Sequence, residues 1–256
     1  MNEAFNIDCM EYMRSLSDKA FDLAVVDPPY GGGASQSVHV EREREREREL
    51  RAEPADFEQR PRSRFGQRFD RYYIGVPDRR RMVPEDPGTT TGADIRHWDV
   101  APPPEYFREL ARVSKAQIIW GANYFGLPPT RCFVVWRKSN IPLEGFTMAP
   151  VEYAWTSFND NAALFEWSSA GGSGRDARFH PTQKPVQLYA WLFARYAKPG
   201  FRILDTHLGS GSSRIAAWDA GLDFVGCEID KVYFDLQEKR FEAHAAQGNL
   251  FLMDEH

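Results

Sequence analysis

The sequence predicts an α/β fold, a mostly parallel sheet with helices on both faces, and three observations carry that prediction. Short apolar runs rich in β-branched residues alternate with longer segments of helical periodicity. Two of these runs stop abruptly at an acid followed by a chain-breaking loop, at Val26-Asp27-Pro28 and Leu204-Asp205-Thr206, as buried strands do at their carboxyl ends. The length of 256 residues, 42% hydrophobic and 14% aromatic, suits one sizeable core with an insertion better than two full domains.

Taken in order, residues 4–7 read as a strand and residues 8–16 as a helix. Leu23 to Val26 form an apolar run fit for burial on both faces, and Pro28 and Pro29 then forbid both helix and ladder continuation. From Gly31 to about residue 97 regularity fails, over a stretch too long for an ordinary connection. Order returns when Pro102-Pro103-Pro104 opens a helix through about residue 113. Strands are expected at 117–120, 132–136 and 152–157, a helix from about 186 to 196, and a strand at 203–205. A helix at 212–220, a strand at 224–228 and a helix at 231–245 complete the alternation. The chain thus divides into one domain, residues 1–30 and 97–246, interrupted by an insertion at 31–96 and followed by a tail at 247–256.

The net charge of −5 argues against a polyanionic partner, but its distribution does not. Between residues 59 and 81 stand Arg60, Arg62, Arg64, Arg68, Arg71, Arg79, Arg80 and Arg81 against Asp70 and Asp78, with Phe65, Phe69, Tyr72 and Tyr73 among them. Guanidinium groups beside aromatic rings neutralise phosphates and stack on unpaired bases, so this segment is the candidate nucleic-acid contact. A solvated loop is the plainer reading of the same residues. The Glu/Arg alternation at 41–49 gains little from its own pairs and is read as a solvated helix or spacer. Three scattered cysteines without CxxC spacing, no basic-then-apolar leader and no apolar run near ~20 residues point to the reducing cytosol, without structural zinc or membrane span.

Two segments carry chemistry. The turn Asp27-Pro28-Pro29-Tyr30 offers a carboxylate, carbonyls without neighbouring amide donors and a flat ring, parts suited to holding a planar amine at a strand end. As four letters alone it would equally be a loop initiator. The second segment, Ile203-Leu204-Asp205-Thr206-His207-Leu208-Gly209-Ser210-Gly211, is a strand, an acid and a glycine loop opening a helix. Arg214 stands where the third glycine of a dinucleotide fingerprint would fall, and no Gly-Lys-Ser/Thr follows. Glu228, 23 residues beyond Asp205, is spaced to accept hydrogen bonds from ribose hydroxyls. The pair describes a nucleoside pocket without a phosphate requirement, which S-adenosylmethionine would fit.

With both segments in view, Asp27-Pro28-Pro29-Tyr30 resembles the catalytic motif of the amino DNA methyltransferases, and Asp205-x-x-x-Gly209-x-Gly211 with Glu228 resembles their cofactor motifs. Arg178-Phe179-His180-Pro181-Thr182-Gln183-Lys184-Pro185 resembles the family's segment beside the methionine moiety. The stretches from Trp120 to Phe125 and from Glu152 to Ser157 resemble its intermediate motifs. The resemblance covers residues 1–30 and 97–244. It implies a Rossmann-like class I methyltransferase fold in the circularly permuted β-class order, since the catalytic motif precedes the cofactor loop. It further implies S-adenosylmethionine as cofactor, base flipping, and DNA as partner, with adenine N6 as the methylated atom and cytosine N4 as the alternative. A non-catalytic nucleic-acid-binding module on the same fold is the reading from another class.

The implied cofactor residues are Asp8, His180, Pro181, Thr182, Lys184, Asp205, His207, Gly209, Ser210, Gly211, Ser212, Glu228 and Asp230, and the implied catalytic residues are Asp27, Pro28, Pro29 and Tyr30. Asp8 could equally cap the first helix. The family usually has proline and phenylalanine where Thr206 and His207 stand, so packing near the methionine is open. Only about 20 residues separate Ser157 from His180, where the β class usually places target recognition, which moves that role to the 31–96 insertion. A homodimer is implied by the resemblance alone, and a restriction endonuclease as partner is left open.

Overall fold

The computed structural model describes residues 1–31, 100–144, 149–169, 179–180 and 182–253, the side chains of 248–253 excepted. The arginine-aromatic segment, the Glu/Arg alternation, Arg178 and Pro181 lie outside the described residues.

The chain opens with β1 (Asn2–Asn6), α1 (Cys9–Arg14) and β2 (Phe21–Val26). After the insertion come α2 (Pro104–Val113), β3 (Ser114–Trp120), a 3-10 turn at Ala122–Tyr124, β4 (Phe133–Lys138), β5 (Val151–Thr156) and β6 (Ala163–Trp167). Then follow α3 (Val186–Tyr196), β7 (Arg202–Asp205), α4 (Ser212–Asp219), β8 (Asp223–Glu228) and α5 (Lys231–Met253). Local chemistry sets several of these bounds. Asp8 caps α1 by accepting from the Met10 and Glu11 amides at 2.7 and 3.2 Å, Pro104 starts α2, and Pro185 precedes α3.

The eight strands form one sheet in the order β1-β8-β7-β2-β3-β5-β4-β6, in which β5 alone runs against its neighbours. Helices cover both faces. Met13 of α1 and Tyr106, Leu110 and Val113 of α2 bury against Phe21, Ala24, Val26 and Ile119 on one face. Leu188, Leu192 and Phe193 of α3 and Ala216 and Ala217 of α4 bury against Leu23, Val25, Ile118, Ile203 and Phe224 on the other. Each fully buried aliphatic or aromatic side chain contributes roughly 1.5–3 kcal/mol, so β2, with Leu23, Ala24, Val25 and Val26 all 0% exposed, is the best-anchored strand.

The fold agrees with the expected mostly parallel sheet and helices on both faces. Two elements differ from expectation. Strand β6 was not foreseen: it is a sheet edge whose Leu164, Glu166 and Trp167 are exposed, and its short apolar run carries no β-branched residue. Helix α5 continues to Met253, into the segment read as a tail from residue 247. Among the described residues no helix is long and apolar enough to cross a membrane.

Candidate active site

The site follows from strand order. From β2 the chain proceeds outward to β3, and from β7 it proceeds the other way to β8, so the β7/β2 boundary is where the order reverses. In open parallel sheets the crevice outside the carboxyl ends of such strands binds ligands. The register Leu23↔Ile203 and Ala24↔Leu204 sets the two strands level, and the Asp27 turn and the Asp205 loop leave the sheet side by side. Glu228 ends β8, opposite Asn6 of β1, and Asp8 follows β1. Four acids thus line one edge.

At the β2 end, Asp27 Oδ1 accepts a hydrogen bond from the Tyr30 hydroxyl at 2.9 Å, and Oδ2 is paired with the Lys184 ammonium. Burial raises the Asp27 pKa, although the ammonium pulls the other way. Burial would lower the Lys184 pKa, but Asp27 and Glu152 outweigh it, so Lys184 stays charged. Lys184 Nζ also lies 3.2 Å from Glu152 Oε2, an ionic contact without hydrogen-bond alignment, and 5.4 Å from the centre of the Trp120 ring. Glu152 Oε1 in turn meets Lys138 Nζ at 2.6 Å. Lys184, which the resemblance assigned to the cofactor side, therefore sits against the catalytic-motif acid. Pro28 is buried beside it.

The Tyr30 ring stacks on Tyr124 with centroids 4.7 Å apart and 15° between planes, and meets Phe125 edge-on at 6.2 Å. Gly121 makes this possible. Its φ is +68°, and a Cβ there would lie 1.9 Å from Tyr30 Cε1, so any side chain would drive the ring away.

At the β7 end, Asp205 is buried and accepts from the His207 amide at 3.0 Å and from the Ser213 hydroxyl at 2.5 Å. Burial pushes its pKa up to about 7. His207 is held neutral, its pKa lowered by burial to about 4, and its Nδ1 lies 2.9 Å from Thr206 Oγ1, which is 2.6 Å from the Tyr106 hydroxyl. Glu228 bridges loop and helix: Oε2 accepts from the Gly209 amide at 2.8 Å and Oε1 from the Asp230 amide at 2.9 Å. Asp230 caps α5 through the Val232 and Tyr233 amides. Gly209 and Gly211 take φ of +52° and +75°, and a Cβ on Gly209 would crowd the His180 ring at 3.3 Å.

The remaining expected residues gather nearby. His180 packs edge-on against Tyr233 at 4.4 Å, and Thr182 Oγ1 lies 3.2 Å from His180 Nδ1. The Ser210 and Ser212 hydroxyls are 3.1 Å apart, with Arg240 donating to the Ser210 carbonyl at 2.7 Å and to Ser212 Oγ at 3.0 Å. Arg214, in place of a third glycine, is 5% exposed, bonds Asn2 and Gln237, pairs with Glu238 at 2.6 Å and lies over Phe241. It ties α4 to β1 and α5. Sequence reasoning quoted Glu152 only as the first residue of a motif-like stretch, without a role of its own, and did not reach Lys138, which lies beyond the strand expected at 132–136.

Residues 119–239 match the family model described as DNA methylase. The type II methyltransferase M2.DpnII of Streptococcus pneumoniae is 39% identical over 134 residues, covering 43% of this chain and 50% of that protein. M2.LlaDCHI of Lactococcus lactis subsp. cremoris is 33% identical over 139 residues, covering 45% and 52%. The chain spans about half the length of these curated relatives. Among solved structures, PvuII DNA methyltransferase, described as cytosine-N4-specific, superimposes with a TM-score of 0.54 at 12% identity, over 94% of this chain and 86% of that one. M1.HpyAVI gives 0.50 at 13% identity over 94% and 98%. Residues 119–239 are thus similar in sequence to DNA methylases, and the described fold is that of class I methyltransferases.

Proposed function

We propose that this chain, a relative of the N6/N4 amino DNA methyltransferases, methylates adenine N6 in DNA with S-adenosylmethionine as donor. The observation that carries the reading is the adjacency of Asp27-Pro28-Pro29-Tyr30 and the Gly209–Gly211 loop at the carboxyl ends of neighbouring parallel strands. The residues fit such a donor. Glycines with bare, left-handed backbone admit close approach, Glu228 and Asp8 offer acceptors for hydroxyls, and the acidic rim suits a cationic ligand. Asp205, Ser210, Ser212 and Asp230 shape the loop, while His180, with Thr182 beside it, closes its other side. Bound there, S-adenosylmethionine supplies an electrophilic methyl group on a sulfonium.

The protein's own part is alignment. Tyr30, backed by Tyr124, stacks on the extruded base, which must leave the duplex to reach a pocket. Asp27 and the Pro28 carbonyl accept from the amine hydrogens, turning the nitrogen lone pair toward the methyl group. Asp27 then takes the surplus N–H proton and passes it to water: the lone pair has become the new N–C bond, and the carbon–sulfur pair has left with sulfur. Holding near-attack geometry is worth up to ~7–11 kcal/mol. The insertion's arginines would track the phosphates and choose the target, and the acid heading the motif favours adenine over cytosine.

Labelled cofactor with defined DNAs, followed by nucleoside analysis, tests this reading. N6-methyladenine is expected; labelled N4-methylcytosine overturns the base assignment, and no label overturns the activity.

A further inference from the structure

Four charged side chains of alternating sign run inward from β4 to the β2 turn: Lys138, Glu152, Lys184 and Asp27. They come from four separate segments, and their side chains are 10%, 23%, 3% and 13% exposed, so solvent screens them little. Lys184 lies between two carboxylates, and Glu152 between two ammonium groups. Among the residues resembling known motifs, Glu152 has no role in binding or chemistry assigned above.

We propose that Glu152 is a positioning residue for Asp27: by sharing the Lys184 ammonium it prevents that ammonium from neutralising Asp27 outright, leaving the Asp27 carboxylate able to accept from the incoming amine. The inference rests on the methyl-transfer reading of the site. A lone buried Lys184–Asp27 pair would quench the acceptor, since each partner satisfies the other. The second carboxylate divides the ammonium's attraction, and the Trp120 ring at 5.4 Å helps keep it in place. Burial alone would raise the Glu152 pKa, but the Lys184 and Lys138 ammonium groups outweigh it and hold Glu152 ionised.

The groups facing Asp27 are Lys184 before α3, Tyr30 in its own turn, Glu152 of β5, Tyr189 of α3 and Asp205 of β7, with Lys138 of β4 behind Glu152. Removing the Glu152 charge makes Asp27 easier to ionise, and removing the Lys138 charge makes it harder. The two substitutions therefore act in opposite directions.

The test is a carbon-13 NMR titration of the Asp27 carboxyl, assigned by its loss in Asp27→Asn, alongside the pH profile of kcat. Glu152→Gln should move the Asp27 titration and the acid limb of kcat to lower pH by about one unit, and Lys138→Met should move both upward. Cofactor Kd should stay unchanged in both variants. Unmoved titrations, or shifts in the same direction, overturn the proposal. Should Glu152→Gln fail to fold, the sign of the Lys138→Met shift decides. The NMR shifts do not need turnover: an inactive wild type with the expected shifts sinks the activity alone, and an active one without them sinks the positioning role alone.

Discussion

Asp27 is asked to do two things that conflict, to be buried beside an ammonium and to remain an acceptor, and its surroundings show how both are met. One oxygen is committed to Lys184, while the other is held by the Tyr30 hydroxyl, a weaker partner that an entering amine can share or displace. Asp27→Ala should abolish methyl transfer while calorimetry finds cofactor binding retained, because the hydrogen bonds of that side chain go to Tyr30 and Lys184 and the Gly209–Gly211 loop is held by Glu228. Activity in Asp27→Ala would remove the mechanism. Gly121 imposes a different constraint on the same ring. Gly121→Ala should cost roughly 1–2 kcal/mol from its left-handed backbone and more from collision with Tyr30, read as a lowered unfolding midpoint with a fall in kcat. Gly126→Ala, where a Cβ meets nothing within 4 Å, is the control and should change neither.

At the scale of the element, the loop after β7 combines two buried groups with opposed acid–base behaviour. His207 has its folded pKa lowered to about 4 from 6.5, so below pH 6.5 the unfolded chain binds a proton the folded one refuses, and stability is lost as pH falls toward 4. Asp205 has its folded pKa raised to about 7 from 3.8, so the folded chain takes up the proton first, and stability is gained as pH falls from 7 toward 3.8. Between pH 6.5 and 4 the two contributions oppose each other. Asp205→Asn keeps an acceptor for the His207 amide but removes one side of this balance. Urea unfolding at pH 7 and pH 5 should show the variant losing more stability on acidification than the wild type does. A parallel or smaller loss would show that the two groups do not offset.

Over the whole molecule, a parallel sheet brings the chain's beginning and end together. The catalytic turn near residue 27 and the glycine loop near residue 209 are distant in sequence yet level in the sheet, because β2 and β7 are hydrogen-bonded neighbours. The net charge of −5 leaves phosphate binding to a local basic segment. Deleting residues 59–81 should weaken DNA binding and flatten the slope of log affinity against log salt, measured by fluorescence anisotropy. An unchanged slope would assign those eight arginines no phosphate contacts.

The strands that run through the core were legible because burial on both faces demands unbroken apolar runs, and the motif turns were legible because Pro28, Pro29, Gly209 and Gly211 are the residues such turns require. Edge strand β6 was not, since its apolar Ala163-Leu164-Phe165 holds no β-branched residue and is broken by Glu166. By itself the sequence determined the α/β class, the order of the two motif halves and the acids at the strand ends, all local consequences of side-chain size, branching and missing amides. Only the tertiary structure decided that Lys184 answers Asp27, that Glu152 and Lys138 stand behind it, and that Gly121 makes room for Tyr30. Those relations join strands far apart in the chain, and no periodicity within one segment can encode which charge another segment will bring to it.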